Sequence, residues 1–139
     1  MDHVPPLPAE WFTGDVWMDP IVQPEGQSQL GVGAVHFTPG ARTAWHSHDG
    51  GQTLYVTEGQ SRGEEVVELR AGDVHVTPDG QQHWHGAGHD HFMAHISITQ
   101  GAARWGEHVT DDEYRGHRAI RKQTTVDRRR PVRWAGMSD

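Results

Sequence analysis

Gly40-Ala41-Arg42-Thr43-Ala44-Trp45-His46-Ser47-His48-Asp49-Gly50-Gly51-Gln52, with Gly59 beyond it, is the stretch that decides the reading of this chain. His46 and His48 stand two apart, so on a strand both imidazoles project from one face. Gln52 follows past a Gly-Gly turn and can swing back to that face. A third histidine belongs to a second glycine-framed stretch, in which Gly72, Pro78 and Gly80 lead to His83. Two side chains on one strand and one on another can surround a cation only if the sheet closes on itself. The expectation is an all-β fold, an antiparallel jelly-roll barrel.

The rest of the chain agrees with short strands between frequent turns. Turn residues recur at Asp49-Gly50-Gly51, Glu58-Gly59, Arg62-Gly63, Ala71-Gly72-Asp73, Pro78-Asp79-Gly80 and Gly86 to Gly88. Between them lie strand-like runs at 11–18, 30–38, 52–57, 65–69, 73–77 and 92–99. Pro5, Pro6 and Pro8 disfavour helix and predict an extended arm over residues 1–10. One short helix is expected after Val109, where Thr110-Asp111-Asp112-Glu113 fits a capping box, ending near Gly116. Residues 11–115 then form one domain, and 116–139 a basic tail.

The 139 residues suit one core, and six Trp argue for a folded chain. The absence of Cys excludes disulfide scaffolds, thiolate zinc sites and cysteine nucleophiles. Twelve His, by contrast, point to metal or proton chemistry near neutral pH. The net charge of -7 is uneven, since residues 1–114 hold four Arg against 17 acids while residues 115–139 carry eight Lys or Arg. An acidic body argues against nucleic acid as a partner. Nor does any apolar run approach a membrane span, and residues 1–6 lack the pattern of a secretion signal, so the expected compartment is the cytoplasm.

The two framed stretches resemble the motifs of the cupin superfamily. Gly40, His46, His48 and Gly59 match the first motif, with Gln52 where Glu is usual. Gly72, Pro78, Gly80 and His83 match the second, with Ala87 in place of its final Asn. The resemblance implies a small jelly-roll barrel, assembly into homo-oligomers (dimers or tetramers), and one divalent metal per chain. It implies His46, His48, Gln52 and His83 as metal ligands. Trp11-Phe12-Thr13-Gly14, Pro39 to His46, Gly51 to Leu54, His83 to Ala87 and Glu107 to Asp111 further resemble the bacterial cupin hydroxynitrile lyases. Those enzymes also carry Gln at the fourth ligand position and use manganese or a similar ion to cleave cyanohydrins into aldehyde and hydrogen cyanide. The likeness spans roughly residues 11–115.

Three imidazoles and an amide leave a divalent ion its full charge, which favours proton abstraction and lyase or isomerase steps over the carboxylate-supported oxygen chemistry of non-haem iron. Manganese is the first expectation, and Fe, Ni, Co and Zn suit the same donors. His95 and His85 are the candidate catalytic residues. His95 shares a face with Met93 and Ser97 in the strand 92–99, and His85 lies two beyond His83. Gly33 and Val35 are candidate cavity walls. His89 and His91 read as exposed loop histidines, and His36, His75, His108 and His117 as solvent-facing or capping. The expected partner is a small-molecule substrate of a metal-dependent lyase. The rival readings are an oxygenase or isomerase of a small metabolite, and a non-catalytic small-molecule-binding protein.

Overall fold

The structure, a computed structural model, describes residues 5–63 and 68–116, with the side chains of 60–63 left aside. The tail from His117 onward, residues 1–4 of the expected arm and most of the run 65–69 lie outside these residues. In chain order the elements are β1 (Phe12–Thr13), β2 (Val16–Val22), β3 (Leu30–Phe37), β4 (Arg42–Thr43), β5 (His46–His48) and β6 (Gln52–Gly63). They continue with β7 (Leu69–Arg70), β8 (Val74–Thr77), β9 (His85–Ala87), β10 (Met93–Gln100), β11 (Ala103–Trp105) and α1 (Asp111–Arg115). Nine strands form one sheet along the path β1-β4-β9-β6-β10-β3-β2, with β7 and β8 also on β6, and β11 pairs with β5. Every pairing is antiparallel.

The long strand β6 joins the two walls of the barrel by serving both. Its first residues pair with β8 and β10, and its last with β7 and β9. A register shift opposite Ala94 and His95 leaves Thr57 without a partner residue there, which bends the strand between the walls. Val16, Val35, Phe37, Val56 and Met93 from one wall meet Ala41, Leu69 and Ala87 from the other in a single buried cluster. Directly paired residues share a face, so the register orders the barrel interior into rows. Met93, Phe37 and Val16 form an apolar floor, and His95 with Val35 comes next. Ser97 with Gly33, then Thr99 with Gly31, lead outward. There a cavity of about 430 Å³ opens, lined by Met18, Pro20, Val22, Gly33, Ser97 and Thr99 among others.

Helix α1 lies against the other wall. Glu113 N–H donates to Thr110 Oγ1 and Thr110 N–H to Glu113 Oε1, both at 3.1 Å, so the expected capping box is present and the helix ends at Gly116. Tyr114 packs with Trp84 and Val109 and donates its hydroxyl to the Ala87 carbonyl at 2.5 Å. Buried Arg42 reaches from β4 to the Val109 carbonyl (3.0 Å) and to Asp111 Oδ1 (2.8 Å), its guanidinium 4.6 Å from the Tyr114 ring centre.

Several local expectations change: the turns expected at Glu58-Gly59 and Arg62-Gly63 lie within β6, which continues past the expected 52–57 to Gly63. The strand expected at 11–18 is broken by a bend at Gly14, and its second part runs on to Val22. The turn expected at Gly86 to Gly88 is instead β9, with the turn at His89 and Asp90. Gly86 is there for closeness: a Cβ on it would stand 2.5 Å from the Ala41 carbonyl oxygen and 2.6 Å from Arg42 Cβ. Strand β11 had no anticipated counterpart. Among the described residues no helix is long and apolar enough to cross a membrane.

Candidate metal centre

All six residues singled out as ligands or bases converge inside the barrel. His46 and His48 come from β5, Gln52 from the first position of β6, His85 from β9 and His95 from the facing strand β10. His83 joins them through a two-residue bridge, with His46 N–H to the His83 carbonyl at 2.9 Å and His83 N–H to the His46 carbonyl at 2.8 Å. That bridge brings the two framed stretches together. The His46 ring centre lies 4.2 Å from that of His83, 4.9 Å from His48 and 5.2 Å from His85, while His85 and His95 are 5.0 Å apart.

Hydrogen bonds fix which ring nitrogens are bare. His46 Nδ1–H donates to the Ala44 carbonyl (2.9 Å) and His83 Nδ1–H to the Gln81 carbonyl (3.2 Å). A carbonyl can only accept, so in each neutral ring the proton sits on Nδ1 and Nε2 presents a lone pair. Burial, with the neighbouring imidazoles next, keeps the rings neutral: His46 is lowered to about 3 and His83 to about 4. Gln52 Oε1 lies 3.0 Å from His83 Nε2. Two lone pairs therefore face each other with no proton to share, an arrangement a cation resolves. His48, His85 and His95 add six buried ring nitrogens with no hydrogen-bond partner.

His46, His83 and His85 can each bring one nitrogen within 4.8 Å of the other two. The motif spacing assigns His48 to the ligands and leaves His85 as a base, and the structure sets both rings around His46. This acceptor set, imidazole nitrogens and an amide oxygen without sulfur, suits a first-row divalent ion. His85 and His95 lie deeper. Burial pushes His85 well below its ordinary value, with His95 the next cause, and burial lowers His95 to about 3. Both are neutral proton acceptors at pH 7.

Two supports of the centre went unnoticed in the sequence. Trp105, on β11, stands 4.7 Å from His46 and stacks on Trp11 at 5.3 Å. Paired Arg104 and Asp49 (2.9 and 3.0 Å) fasten β11 to the end of β5. Ser97 and Thr99 contact Gln52, and strand alternation from His95 was the available signal. His89 and His91 are exposed, His91 beside Asp90 at 2.6 Å. His36 is exposed beside Asp19, His108 is exposed and His75 is half-buried.

Residues 33–98 match the family model described as a cupin domain. The chain is 46% identical over 116 residues to a protein of Granulicella tundricola named (R)-mandelonitrile lyase, covering 78% of this chain and 88% of that one. A cupin-like protein from Thermotoga maritima shares 40% identity and superposes with a TM-score of 0.76 over 83% of this chain and 93% of its own. An acetylacetone dioxygenase from Acinetobacter johnsonii, at 13% identity and a TM-score of 0.63 over 81% and 80% of the two chains, shares the fold alone. With both framed motifs meeting in an antiparallel jelly-roll barrel and relatives of this identity, the chain belongs to the cupin superfamily and resembles its bacterial hydroxynitrile lyases.

Proposed function

We propose that the protein is a metal-dependent lyase that cleaves cyanohydrins to a carbonyl compound and hydrogen cyanide, or joins them in reverse. The observation that carries this reading is the neutral donor set: bare imidazole nitrogens and the Gln52 amide oxygen, with no carboxylate among them. The Granulicella relative, by its name, supports the same substrate class. His46, His48, Gln52 and His83 would hold the ion. A divalent ion among neutral ligands supplies Lewis acidity and keeps its full charge toward an alkoxide or a cyanide.

The chain's own residues do the rest. His95 accepts the substrate hydroxyl proton on an uncommitted ring nitrogen. The electron pair of the O–H bond becomes the second bond of the carbonyl, and the pair of the C–C bond leaves with cyanide. Burial against Phe37, 5.3 Å away, makes the resulting imidazolium a strong acid, so it returns the proton to cyanide and the products are neutral. His85, with both ring nitrogens also free and its centre 5.0 Å from that of His95, is the second proton acceptor. Met18, Pro20, Val22 and Gly33 give the cavity an apolar wall for the substituent of a small cyanohydrin. The test is cyanide release from mandelonitrile without oxygen, expected to vanish on chelation and return with one divalent ion. Oxygen uptake with Fe(II) and no cyanide release would replace this reading by the oxygenase one.

A further inference from the structure

Gln52 carries a donor and an acceptor at the end of one side chain, so its place at the centre depends on what holds the amide. Its Nε2 donates to Ser97 Oγ at 2.8 Å and to Thr99 Oγ1 at 3.1 Å, and the two hydroxyls lie 3.1 Å from each other. Both amide N–H groups are thereby committed, one to each hydroxyl, and Oε1 is left toward His83. Each hydroxyl can also donate, so the pair fixes where the amide sits, and a cation at the histidines would select its oxygen end. The pair follows from register: Thr99 sits directly opposite Gln52, and Ser97 is two residues nearer His95 on the same inward face.

We infer that Ser97 and Thr99 are positioning residues that hold the Gln52 amide against the histidine cluster, where its oxygen can meet a cation. The inference rests on the reading of that cluster as a metal centre. A ligand held by its outer partners binds more tightly, because less freedom is lost when the ion arrives, and such partners are worth roughly 10–100-fold in metal affinity. The hydroxyls act through Gln52 alone. Their contribution therefore has to vanish when Gln52 is gone.

The experiment measures Mn²⁺ affinity by chelator competition in the full chain for the wild type, Ser97→Ala/Thr99→Val, Gln52→Leu and the triple variant. The expected result is a loss of about 10–100-fold in the double variant and no further loss when the hydroxyls are removed from the Gln52→Leu protein. Thr99→Ser, which keeps the oxygen, should bind within a few-fold of wild type. Wild-type affinity in the double variant overturns the inference, and so does an equal loss with and without Gln52, which would mark a general structural role. If the double variant does not fold, Thr99→Val alone decides: a smaller loss of the same sign supports the inference and none overturns it. His46→Ala separates the two claims. Should it bind Mn²⁺ as tightly as wild type, the metal-centre reading itself fails.

Discussion

Replacing Gln52 by Glu tests the electrostatic logic of the centre by its sign. The side chain keeps its length, and Ser97 and Thr99 can turn their hydroxyls to donate to a carboxylate, so the pose at 2.8 and 3.1 Å survives. What changes is one unit of charge, placed 3.0 Å from His83 Nε2. In an effective dielectric near 20, unit charges about 3 Å apart interact by about 5 kcal/mol, and unit charges about 6 Å apart by about 2–3 kcal/mol. If half of the latter survives relaxation and screening, an anion bound at the centre is weakened about tenfold. The assay is the Kd of azide or cyanide for the metal-loaded protein, followed by optical titration, with Mn²⁺ affinity measured beside it. Anion binding should weaken at least about tenfold while the ion is held as tightly or more tightly. Unchanged anion affinity in a fully loaded variant would refute the claim that the amide preserves the positive field of the site.

His95→Ala, with metal content verified, should lower cyanide release at least about 100-fold if the ring moves the proton; an unaltered rate removes it from that role. Arg42, through its hydrogen bond first and its charge second, holds the Asp111 carboxyl below its usual range. A lowered carboxylate pKa stabilises the fold above the unfolded value and ceases to do so as pH falls through the folded one. The stability gap between wild type and Asp111→Asn, read from urea midpoints, should therefore be constant from pH 7 to 5 and close below about pH 4. A gap that widens on acidification contradicts the pairing. Gly86→Ala forces a methyl to 2.5 Å from the Ala41 carbonyl and should destabilise by about 1–3 kcal/mol, a fall of several degrees in Tm, whereas an unchanged Tm would show that β4 and β9 can part freely.

The parts of the fold that could be read from the sequence are those fixed by backbone geometry or by alternation. Gly40, Gly59, Gly72 and Gly80, the framing glycines, all have positive φ; three of them mark turns, while Gly59 lies inside β6 where the Phe92 backbone passes close by. The Thr110 cap and the inward parity of Met93, His95 and Ser97 are similarly local. Strand β11 is not. Ala103–Trp105 is three residues long without alternation, and it is a strand only because β5 offers an edge and Arg104 reaches Asp49 across it. Gly86 misled for a related reason, since glycine marks both a turn and a close crossing of two strands, and only the position of β4 distinguishes them.

The candidate site shows where one-dimensional spacing stops. A motif says that His46, His48 and His83 meet; it carries no information on which nitrogen each ring offers. For His46 and His83 that depends on two carbonyls, Ala44 and Gln81, each two residues before the histidine it serves, while His48 has both ring nitrogens uncommitted. Because both acceptors are backbone atoms, no substitution in the sequence would reveal or remove them, and the polarity of the centre is built into the path of the chain. Gln52 is the exception, since its amide is held by side chains on another strand. Evolving the centre toward a carboxylate therefore needs one substitution and two hydroxyl rotations, while the imidazoles can stay as they are. On the proposed metal-centre reading, a Glu at residue 52 would lower the site charge by one while the imidazoles stay neutral, so residue 52 is where that charge is set.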